Sequence, residues 1–239
     1  MSAKASASRT ARERVRAELT REITEIARAQ LATAGAAGLS LRAVAREMGM
    51  VSSAIYRYFP SRDDLLTALI IDGYNAIGAA VEEADATCAG DDHLGRWLAV
   101  CRAVRGWALA HPHEYALLYG SPVPGYQAPQ DTVVPATRDA LVYGRILRDA
   151  YRAGALRPPD ICPPPPDSFA ADAGQMREMI MPDLPDDMIA RALAAWTALF
   201  GAVSFEVFGQ FNNVITDRDA FFDHLMTGQA RFLGLTANP

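Results

Sequence analysis

The sequence predicts an all-α protein, with a small N-terminal three-helix domain followed by a larger helical domain. Apolar residues recur at helical spacing in the segments between glycine- and proline-rich breaks. No segment of any length alternates apolar and polar residues as a half-buried strand does. With 239 residues, half of them hydrophobic, the chain can bury a large core. A largely disordered chain is therefore excluded.

The first helix is predicted over Ala11–Ala34, and Gly35 ends it. One face of this helix is apolar and comprises Leu19, Ile23, Ile26, Ala27 and Leu31. Residues 1–10 are small and polar, and we expect them to form a flexible arm.

Two short helices joined by a glycine turn are predicted next. Ser40 precedes an apolar stripe, as an N-cap does; the stripe consists of Leu41, Val44, Ala45 and Met48. Gly49 then supplies the positive φ that a tight turn needs. The second short helix is predicted from Val51 to Phe59. It ends before Pro60, because proline disfavours a helical conformation in the residue ahead of it.

A third helix is predicted from Ser61, and the three helices together form a helix-turn-helix arrangement. The segment closely resembles the N-terminal DNA-binding domain of TetR-type transcriptional regulators over about residues 11–70. The residues that match the signature of this family are Tyr56, Tyr58, Phe59, Arg62, Asp63, Asp64, Leu65 and Leu66. A later run, residues 196–211, is similar to the dimer-helix region of one actinobacterial-style subgroup.

The motif supplies candidate DNA-contact residues. The start of the second short helix should meet base edges in the major groove, at Val51, Ser52 and Ser53. Candidate contacts to the DNA backbone are Ser40, Arg42, Tyr56, Arg57, Tyr58 and Arg62; for the two tyrosines and Arg62 the family resemblance implies phosphate contacts. An aromatic stripe in a small core is the alternative for the tyrosines, and we prefer it for Phe59.

The base-reading positions depart from the common family pattern. Many relatives have serine or threonine where this chain has Val51, and lysine or arginine where it has Ser52. Valine cannot hydrogen-bond a base, although its methyl groups can pack on a thymine methyl. We therefore expect few bidentate base contacts and a larger contribution from phosphate contacts, DNA shape or water.

Charge is divided unevenly along the chain. Residues 1–62 carry a balance of +6, whereas the rest carries −11, giving the net charge of −5. A basic module that meets phosphate, attached to an acidic body, explains this division. Chance segregation of charge on solvated faces is the alternative.

The domain boundaries follow from this division: a DNA-binding domain over 11–62 and a ligand-binding and dimerisation domain over 63–239. Further helices are predicted over about 61–86, 91–110, 113–119, 132–153 and 185–211, with a last one capped by Asp217 or Asp219 and running to 233. Residues 121–129 form a loop, and residues 156–167 form a stiff proline-rich connection.

Aromatic and apolar residues of the second domain form a candidate ligand site. The candidates are Trp97, Cys101, Val104, Arg105, Tyr119, Trp196 and Phe200. The family resemblance implies an inducer pocket in this region, with Arg105, His111, His113 or Glu114 as polar groups for a flat, apolar ligand. A packed helical core, which needs such residues in any case, is the alternative and the simpler interpretation.

The last two helices should form a dimer interface. Residues Leu193, Trp196, Thr197, Phe200, Ser204, Val207 and Phe211 share one helix, and Phe221, Phe222, Leu225 and Phe232 share the next. Two such helices from each chain would make the four-helix interface of the family, and a purely intramolecular core is the alternative. A homodimer is required if two recognition helices are to read a two-fold DNA site about 34–36 Å apart.

Catalysis is not expected. The only lysine is Lys4, so a P-loop lysine or a Schiff-base lysine is excluded, and no HExxH, GxSxG or GxGxxG motif occurs. His111 and His113 lack a set of further metal ligands nearby in the sequence. We therefore expect neither a cofactor nor a metal.

Three widely spaced cysteines (Cys88, Cys101 and Cys162) fit a reducing cytoplasm better than a disulfide framework. The N-terminus has no apolar signal region, and the longest uncharged apolar run, residues 192–205, is too short to span a bilayer. We expect a cytoplasmic protein without a membrane partner.

The leading functional hypothesis is a dimeric repressor that an apolar small molecule releases from double-stranded DNA. Two alternatives remain. One is a DNA-binding regulator controlled by a protein partner, and the other is a helical small-molecule sensor with a vestigial helix-turn-helix.

Overall fold

A computed structural model describes residues 2–159 and 163–236, and it describes side chains from residue 11 onward. The described residues form helices and no strand, so the predicted all-α class is confirmed. The helices are α1 (Ser2–Ala34), α2 (Leu41–Glu47), α3 (Ser52–Ile55), α4 (Arg62–Ala86), α5 (His93–Ala110), α6 (Pro112–Tyr119), α7 (Val133–Ala136), α8 (Arg138–Arg152), α9 (Ala170–Met179), α10 (Asp186–Val207) and α11 (Arg218–Leu233).

The first helix is longer than predicted. The backbone is helical from Ser2, where the sequence predicts a flexible arm over residues 1–10. Residues 3, 5 and 7 are alanine, the residue with the highest helix propensity, and no glycine or proline interrupts this stretch. The helical backbone of α1 therefore begins at Ser2, although no apolar stripe marks this part of the helix in the sequence.

Contacts divide the chain into two compact units. The first contains the residues up to Gly73 together with His113–Thr132, and the second contains Tyr74–Pro112 and the residues from Val133 onward. The predicted functional domains, 11–62 and 63–239, stay a prediction, but the structural division differs from them. The helix α4 contributes to both units, and a segment from the middle of the chain joins the first.

The first unit has a compact apolar core built from α1, α2, α3 and the first part of α4. Buried residues come from α1 (Ile23, Ala27, Leu31), α2 (Leu41, Val44, Ala45), α3 (Ile55) and α4 (Leu65, Leu66, Leu69). Phe59 is also buried here, which confirms its interpretation as a core residue. The stripe spacings in the sequence therefore identify this core correctly.

The segment 113–132 completes this unit. Leu117, Val123 and Tyr126 pack against the core, and the Tyr126 hydroxyl lies 2.9 Å from Oγ1 of Thr67 on α4. Arg28 of α1 pairs with Asp72 at 2.7 Å and with Glu114 at 3.2 Å. These contacts attach α6 and the following loop to the helix-turn-helix.

The second unit is built from α5, α8, α10 and α11, with α9 packed on α10. Trp97 is fully buried, and its indole Nε1 donates a hydrogen bond to the carbonyl of Met226 at 3.0 Å. The cap predicted at the start of α11 is present, because Asp217 accepts from the amide of Ala220. Asp92 caps α5 in the same way, by accepting from the amide of Gly95, although no cap is predicted there.

Two expectations for this unit are wrong. The single helix predicted over 132–153 is interrupted, because α7 ends at Ala136 and α8 starts at Arg138. The helix α9 forms where none is predicted, between the proline-rich connection and α10. The part of that connection covering residues 160–162, including Cys162, lies outside the described residues. Its flanks, 155–159 and 163–166, are not helical.

Two helices, α4 and α10, are long and apolar enough to cross a membrane by length and composition alone. About half of the most apolar window of each is buried inside the protein (44% and 50%), and core helices of soluble proteins meet the same criterion.

Candidate nucleic-acid interface and ligand cavity

The turn between α2 and α3 is fixed by local hydrogen bonds. Ser40 caps α2, because its hydroxyl accepts from the amide of Ala43. At the other end, Gly49 has φ of +67° and its amide donates to Arg46, while the Met50 amide donates to Ala45 at 2.8 Å. This pair of bonds is the Schellman arrangement that ends many helices at glycine. The orientation of α3 relative to α2 follows from this turn.

The helix α3 exposes its first turn and buries its last residue. Val51, its N-cap, is 72% exposed, and Ser52 and Ser53 are also exposed. Ile55 on the opposite side is fully buried. The three predicted base-reading positions therefore lie together on one accessible turn, anchored from beneath by Ile55.

The helix is shorter than the predicted span of Val51 to Phe59. After Ile55 the chain continues as hydrogen-bonded turns, in which the amides of Arg57 and Tyr58 donate to Ala54 and Ile55. Tyr56 and Arg57 are exposed, and Tyr58 is half-buried. Of the backbone-contact candidates on α2, Arg42 is exposed and Ser40 is half-buried.

Arg62 is engaged within the protein. Its Nη2 donates to the carbonyl of Ala36 at 2.7 Å, and its Nε donates to the carbonyl of Leu39 at 3.2 Å. Its Nη1 lies 3.7 Å from Oδ1 of Asp63. The guanidinium therefore fastens the connection between α1 and α2, a role that the motif does not reveal. A phosphate contact by Arg62 stays a prediction.

The second unit contains a cavity of about 220 Å³ with aromatic and aliphatic walls. The lining residues come from α5 (Trp97), the α7–α8 region (Ala136, Thr137, Ala140, Tyr143, Leu147), the α9 region (Met176, Ile180, Met181) and α10 (Ala192, Leu193, Trp196). Among the residues that the structure describes, no charged side chain lines this cavity, so it fits an uncharged and largely apolar molecule.

The seven predicted ligand residues are not all brought together. Trp97 on α5 and Trp196 on α10 both line the cavity. Phe200 is buried beside Trp196, with ring centroids 5.1 Å apart. Cys101 and Val104 are fully buried core residues, and burial raises the pKa of the Cys101 thiol. None of these last three lines the cavity.

The other predicted ligand residues have different roles. Arg105 pairs with Glu206 at 2.7 Å and with Asp219 at 2.7 Å, and hydrogen bonding to Glu206 raises its pKa. Tyr119 belongs to the first unit, where its ring lies 5.0 Å from that of Tyr115. His111 stacks on Trp107 at 5.2 Å. The predicted polar groups therefore do not line the cavity.

Most of the cavity residues outside the predicted set lie on α8 and in the α9 region. Met176, Ile180 and Met181 form one wall, but the pattern around them gives no clear helical stripe. Gly144 lies where α8 meets this wall, because a Cβ at this position would come within 2.3 Å of the carbonyl oxygen of Ile180. A glycine inside a predicted helix, at position 144, is the sequence feature that could have indicated such a contact. Within the described residues, no group of three or more His, Cys, Asp or Glu side chains could hold a metal.

Sequence comparison decides the family. The model described as "Bacterial regulatory proteins, tetR family" matches residues 23–69, and the one described as "Tetracyclin repressor-like, C-terminal domain" matches residues 97–228, more than half of the chain. The chain belongs to the TetR family. The TetR-family regulators bind DNA and are generally dimeric, and this chain is a transcriptional regulator rather than an enzyme.

Similar proteins extend the comparison over the whole chain. The HTH-type transcriptional regulator Rv1816 of Mycobacterium tuberculosis is 42% identical over 217 residues, which cover 90% of both chains. The crystal structure of the regulatory protein SCO4313 has a TM-score of 0.74 at 35% identity, covering 91% of this chain and 97% of that one. A tetR-family regulatory protein from Rhodococcus RHA1 shares the fold with a TM-score of 0.62 at 17% identity, and the match covers 91% of this chain and 97% of that one.

This TetR-family chain leaves an apolar face on its last two helices. Phe205 and Phe208, at the end of α10, are 52% and 43% exposed. Gly201 on α10 and Gly228 on α11 have open space where a side chain would begin. Phe222, which the sequence analysis assigns to the same face, is instead buried under the guanidinium of Arg105 at 5.2 Å.

Asp139, beside the cavity-lining Ala140, supports a prediction on pH dependence. The carboxyl group is buried, its Oδ2 has no hydrogen-bond partner, and burial raises its pKa from 3.8 to about 6. Because the raised pKa penalises the ionised form in the folded state, this penalty is absent below pH 3.8, grows between pH 3.8 and about 6, and stays constant at higher pH. We expect Asp139→Asn to remove a penalty of about 1–3 kcal/mol at pH 7.

The measurement is the free energy of unfolding of both proteins from pH 4 to pH 8. The difference between Asp139→Asn and the wild type should shift in favour of the variant between pH 4 and about 6 and then level off. A difference that stays constant over this range would show that Asp139 does not titrate as its burial indicates.

Proposed function

We propose that this protein is a dimeric repressor that binds a two-fold operator and is released from it by a small, uncharged, largely apolar ligand. The observation that carries the ligand part of this proposal is the aromatic cavity of about 220 Å³. The DNA-binding part rests on the family and on the exposed first turn of α3.

On the DNA side, Val51, Ser52 and Ser53 would face the base edges. Tyr56, Arg57 and Tyr58 follow them, and Ser40 and Arg42 lie at the start of α2, so both groups would contact the DNA backbone. Two serines can bond either donors or acceptors, and valine offers only apolar contact. Base reading would therefore rely on few hydrogen bonds.

The partner in the dimer would be a second copy of this chain, bound through α10 and α11. Exposed phenylalanines supply apolar area, while Gly201 and Gly228 allow two helices to approach closely. A face of this kind is costly to leave in water. Dimerisation would set the spacing of the two α3 helices at about 34–36 Å.

On the ligand side, Trp97, Tyr143 and Trp196 offer flat surfaces to a planar molecule. The cavity has few free polar groups, because the Trp97 indole already donates to Met226 and the Thr137 hydroxyl donates to the carbonyl of Val134. A ligand would release DNA only by binding one conformation of the dimer more tightly than the other. The protein would act in the cytoplasm, where such regulators generally reside.

Substitution of Ser52 or Ser53 by alanine tests the base-reading assignment. Either change should alter the preferred operator at one position in each half-site and cost about 1–2 kcal/mol on the original site. The measurement is in-vitro selection of bound duplexes with each variant. Tyr58→Phe is the matched control, because a phosphate contact should weaken binding to all sequences alike. An unaltered selected motif for both serine variants would remove them from base reading.

Substitution of Gly144 by alanine tests the cavity. The added methyl group would collide with the carbonyl of Ile180 and should push the α9 wall away from α8. We expect the affinity for an uncharged probe of naphthalene size to fall by about fivefold or more, which corresponds to about 1 kcal/mol. The readout is quenching of tryptophan fluorescence, because Trp97 and Trp196 line the cavity.

Gly174→Ala on α9 provides the control, since a side chain there would meet open space. This variant should bind the probe as the wild type does. Equal probe binding by the Gly144 and Gly174 variants would contradict the assignment of the cavity as the binding site.

A further inference from the structure

Arg16 of α1 contacts the segment that follows α3 in two ways. Its Nη2 donates a hydrogen bond to the carbonyl of Arg57 at 3.1 Å. Its guanidinium carbon lies 5.8 Å from the centroid of the Tyr58 ring, within the range of a cation–π contact. One side chain from α1 therefore holds both the backbone and a ring at the end of the recognition segment.

The position of the Tyr58 ring determines where its hydroxyl lies. The ring is half-buried and packs against the core of the first unit, so the core limits its movement on one side. Arg16 lies against the ring and is itself exposed. With the ring restrained in this way, the phenolic hydroxyl has a fixed location from which it can donate to a phosphate oxygen.

We propose that Arg16 is a positioning residue for DNA binding, which acts through Tyr58 and the Arg57 carbonyl rather than through its own contact to phosphate. This inference rests on the proposed role of Tyr58 as a phosphate contact. The hydrogen bond of Arg16 to the Arg57 carbonyl and its contact with the Tyr58 ring already orient the Arg16 guanidinium toward the protein. Removing Arg16 should therefore loosen the Tyr58 ring and lower DNA affinity only while the tyrosine hydroxyl is present.

The test is a double-mutant cycle with Arg16→Ala and Tyr58→Phe. Phenylalanine keeps the ring and removes only the hydroxyl. The affinities of the wild type, both single variants and the double variant are measured on a palindromic duplex recovered by selection and on a random-sequence duplex. We expect each single variant to lose about tenfold in affinity. The double variant should bind within about twofold of Tyr58→Phe, because the two residues act as one unit.

The salt dependence separates positioning from direct phosphate contact. If Arg16 only positions Tyr58, the slope of log affinity against log salt should not change in Arg16→Ala. A direct contact would reduce the magnitude of the slope by about one unit per protomer. Arg12→Ala is the matched control, since it removes the same charge one helical turn away, and Arg16→Lys should restore part of the affinity.

Three results would overturn the inference: an equal loss from Arg16→Ala in both tyrosine backgrounds, a flattened salt slope, or no effect of Arg16→Ala. Thermal unfolding of each variant is measured alongside, and a loss of folded protein would likewise contradict a positioning role. A wild-type protein that binds neither duplex would contradict the proposed function itself. That failure is distinguishable, because it precedes any comparison of variants.

Discussion

Replacement of Arg96 by leucine is expected to lower the free energy of unfolding by about 3 kcal/mol or more. Arg96 is 5% exposed and bonds Asp85 with two nitrogens, at 2.7 and 3.2 Å. Its Nη1 also bonds Asp149 at 3.1 Å. Asp85 is buried as well, so the substitution leaves its carboxylate buried and paired with Arg145 but no longer with Arg96. Chemical denaturation at neutral pH measures the effect.

The control is Arg102→Leu on the same helix. Arg102 and Asp223 form a bidentate pair at 2.8 and 2.9 Å, but both side chains are about half exposed, so the change should cost about 1 kcal/mol or less. Equal effects of the two substitutions would contradict the role of burial.

The same ion pair makes stability depend on pH. Burial alone would raise the pKa of Asp85, but hydrogen bonds from Arg96 and Arg145 outweigh this effect, and the net pKa is lowered. The stabilisation is therefore present above pH 3.8 and is lost as the pH falls below it.

Substitution of Phe205 by glutamate is expected to convert the dimer to monomers and to weaken operator binding by about 100-fold or more. Phe205 is half exposed near the end of α10, where its ring lies 5.6 Å from that of Phe211. In the proposed interface, glutamate would lose the apolar contact and bury an unpaired charge, which costs several kcal/mol. A monomer carries one recognition helix and contacts only one half-site.

Sedimentation equilibrium and operator binding, measured at the same protein concentration, test this expectation. Val134→Glu is the matched control, because Val134 is 75% exposed but lies on α7, outside the proposed interface. The control should remain dimeric and bind DNA normally. A dimeric Phe205→Glu protein with unchanged affinity would show that α10 and α11 do not form the interface.

The parts of the fold that depend on neighbouring residues could be predicted from the sequence. A cap or a glycine turn is set by bonds within a few residues, so Ser40, Gly49 and Asp217 are found where the pattern places them. Apolar spacing likewise identifies the core of the first unit, since each helix there presents one continuous stripe.

The parts that depend on distant residues could not be predicted. The helix α9 buries only Ala173 fully, so its sequence has no stripe, and packing against α10 holds it in place. Arg177 adds a hydrogen bond to the carbonyl of Leu184. Because one wall of the cavity belongs to this region, the cavity could not be outlined either. Trp97 and Trp196 are found there because large aromatic residues line most apolar cavities.

Arg62 and segment 113–132 show a second limit. The motif indicates that a basic residue follows the recognition helix, but it does not show that the carbonyls of Ala36 and Leu39 lie within its reach. The loop over residues 121–129 is recognisable from its prolines and glycine, yet nothing in it predicts that Tyr126 reaches Thr67 on α4. Contacts of this kind are set by the folded arrangement of elements far apart in sequence.

The most direct test of the proposed function is in-vitro selection from a random duplex library at moderate salt, with protein refolded from denaturant so that no small molecule remains bound. We expect enrichment of a palindromic motif whose half-sites are about one helical turn apart, near 34–36 Å. Folded, dimeric protein that enriches no motif, or a motif without two-fold symmetry, would contradict it.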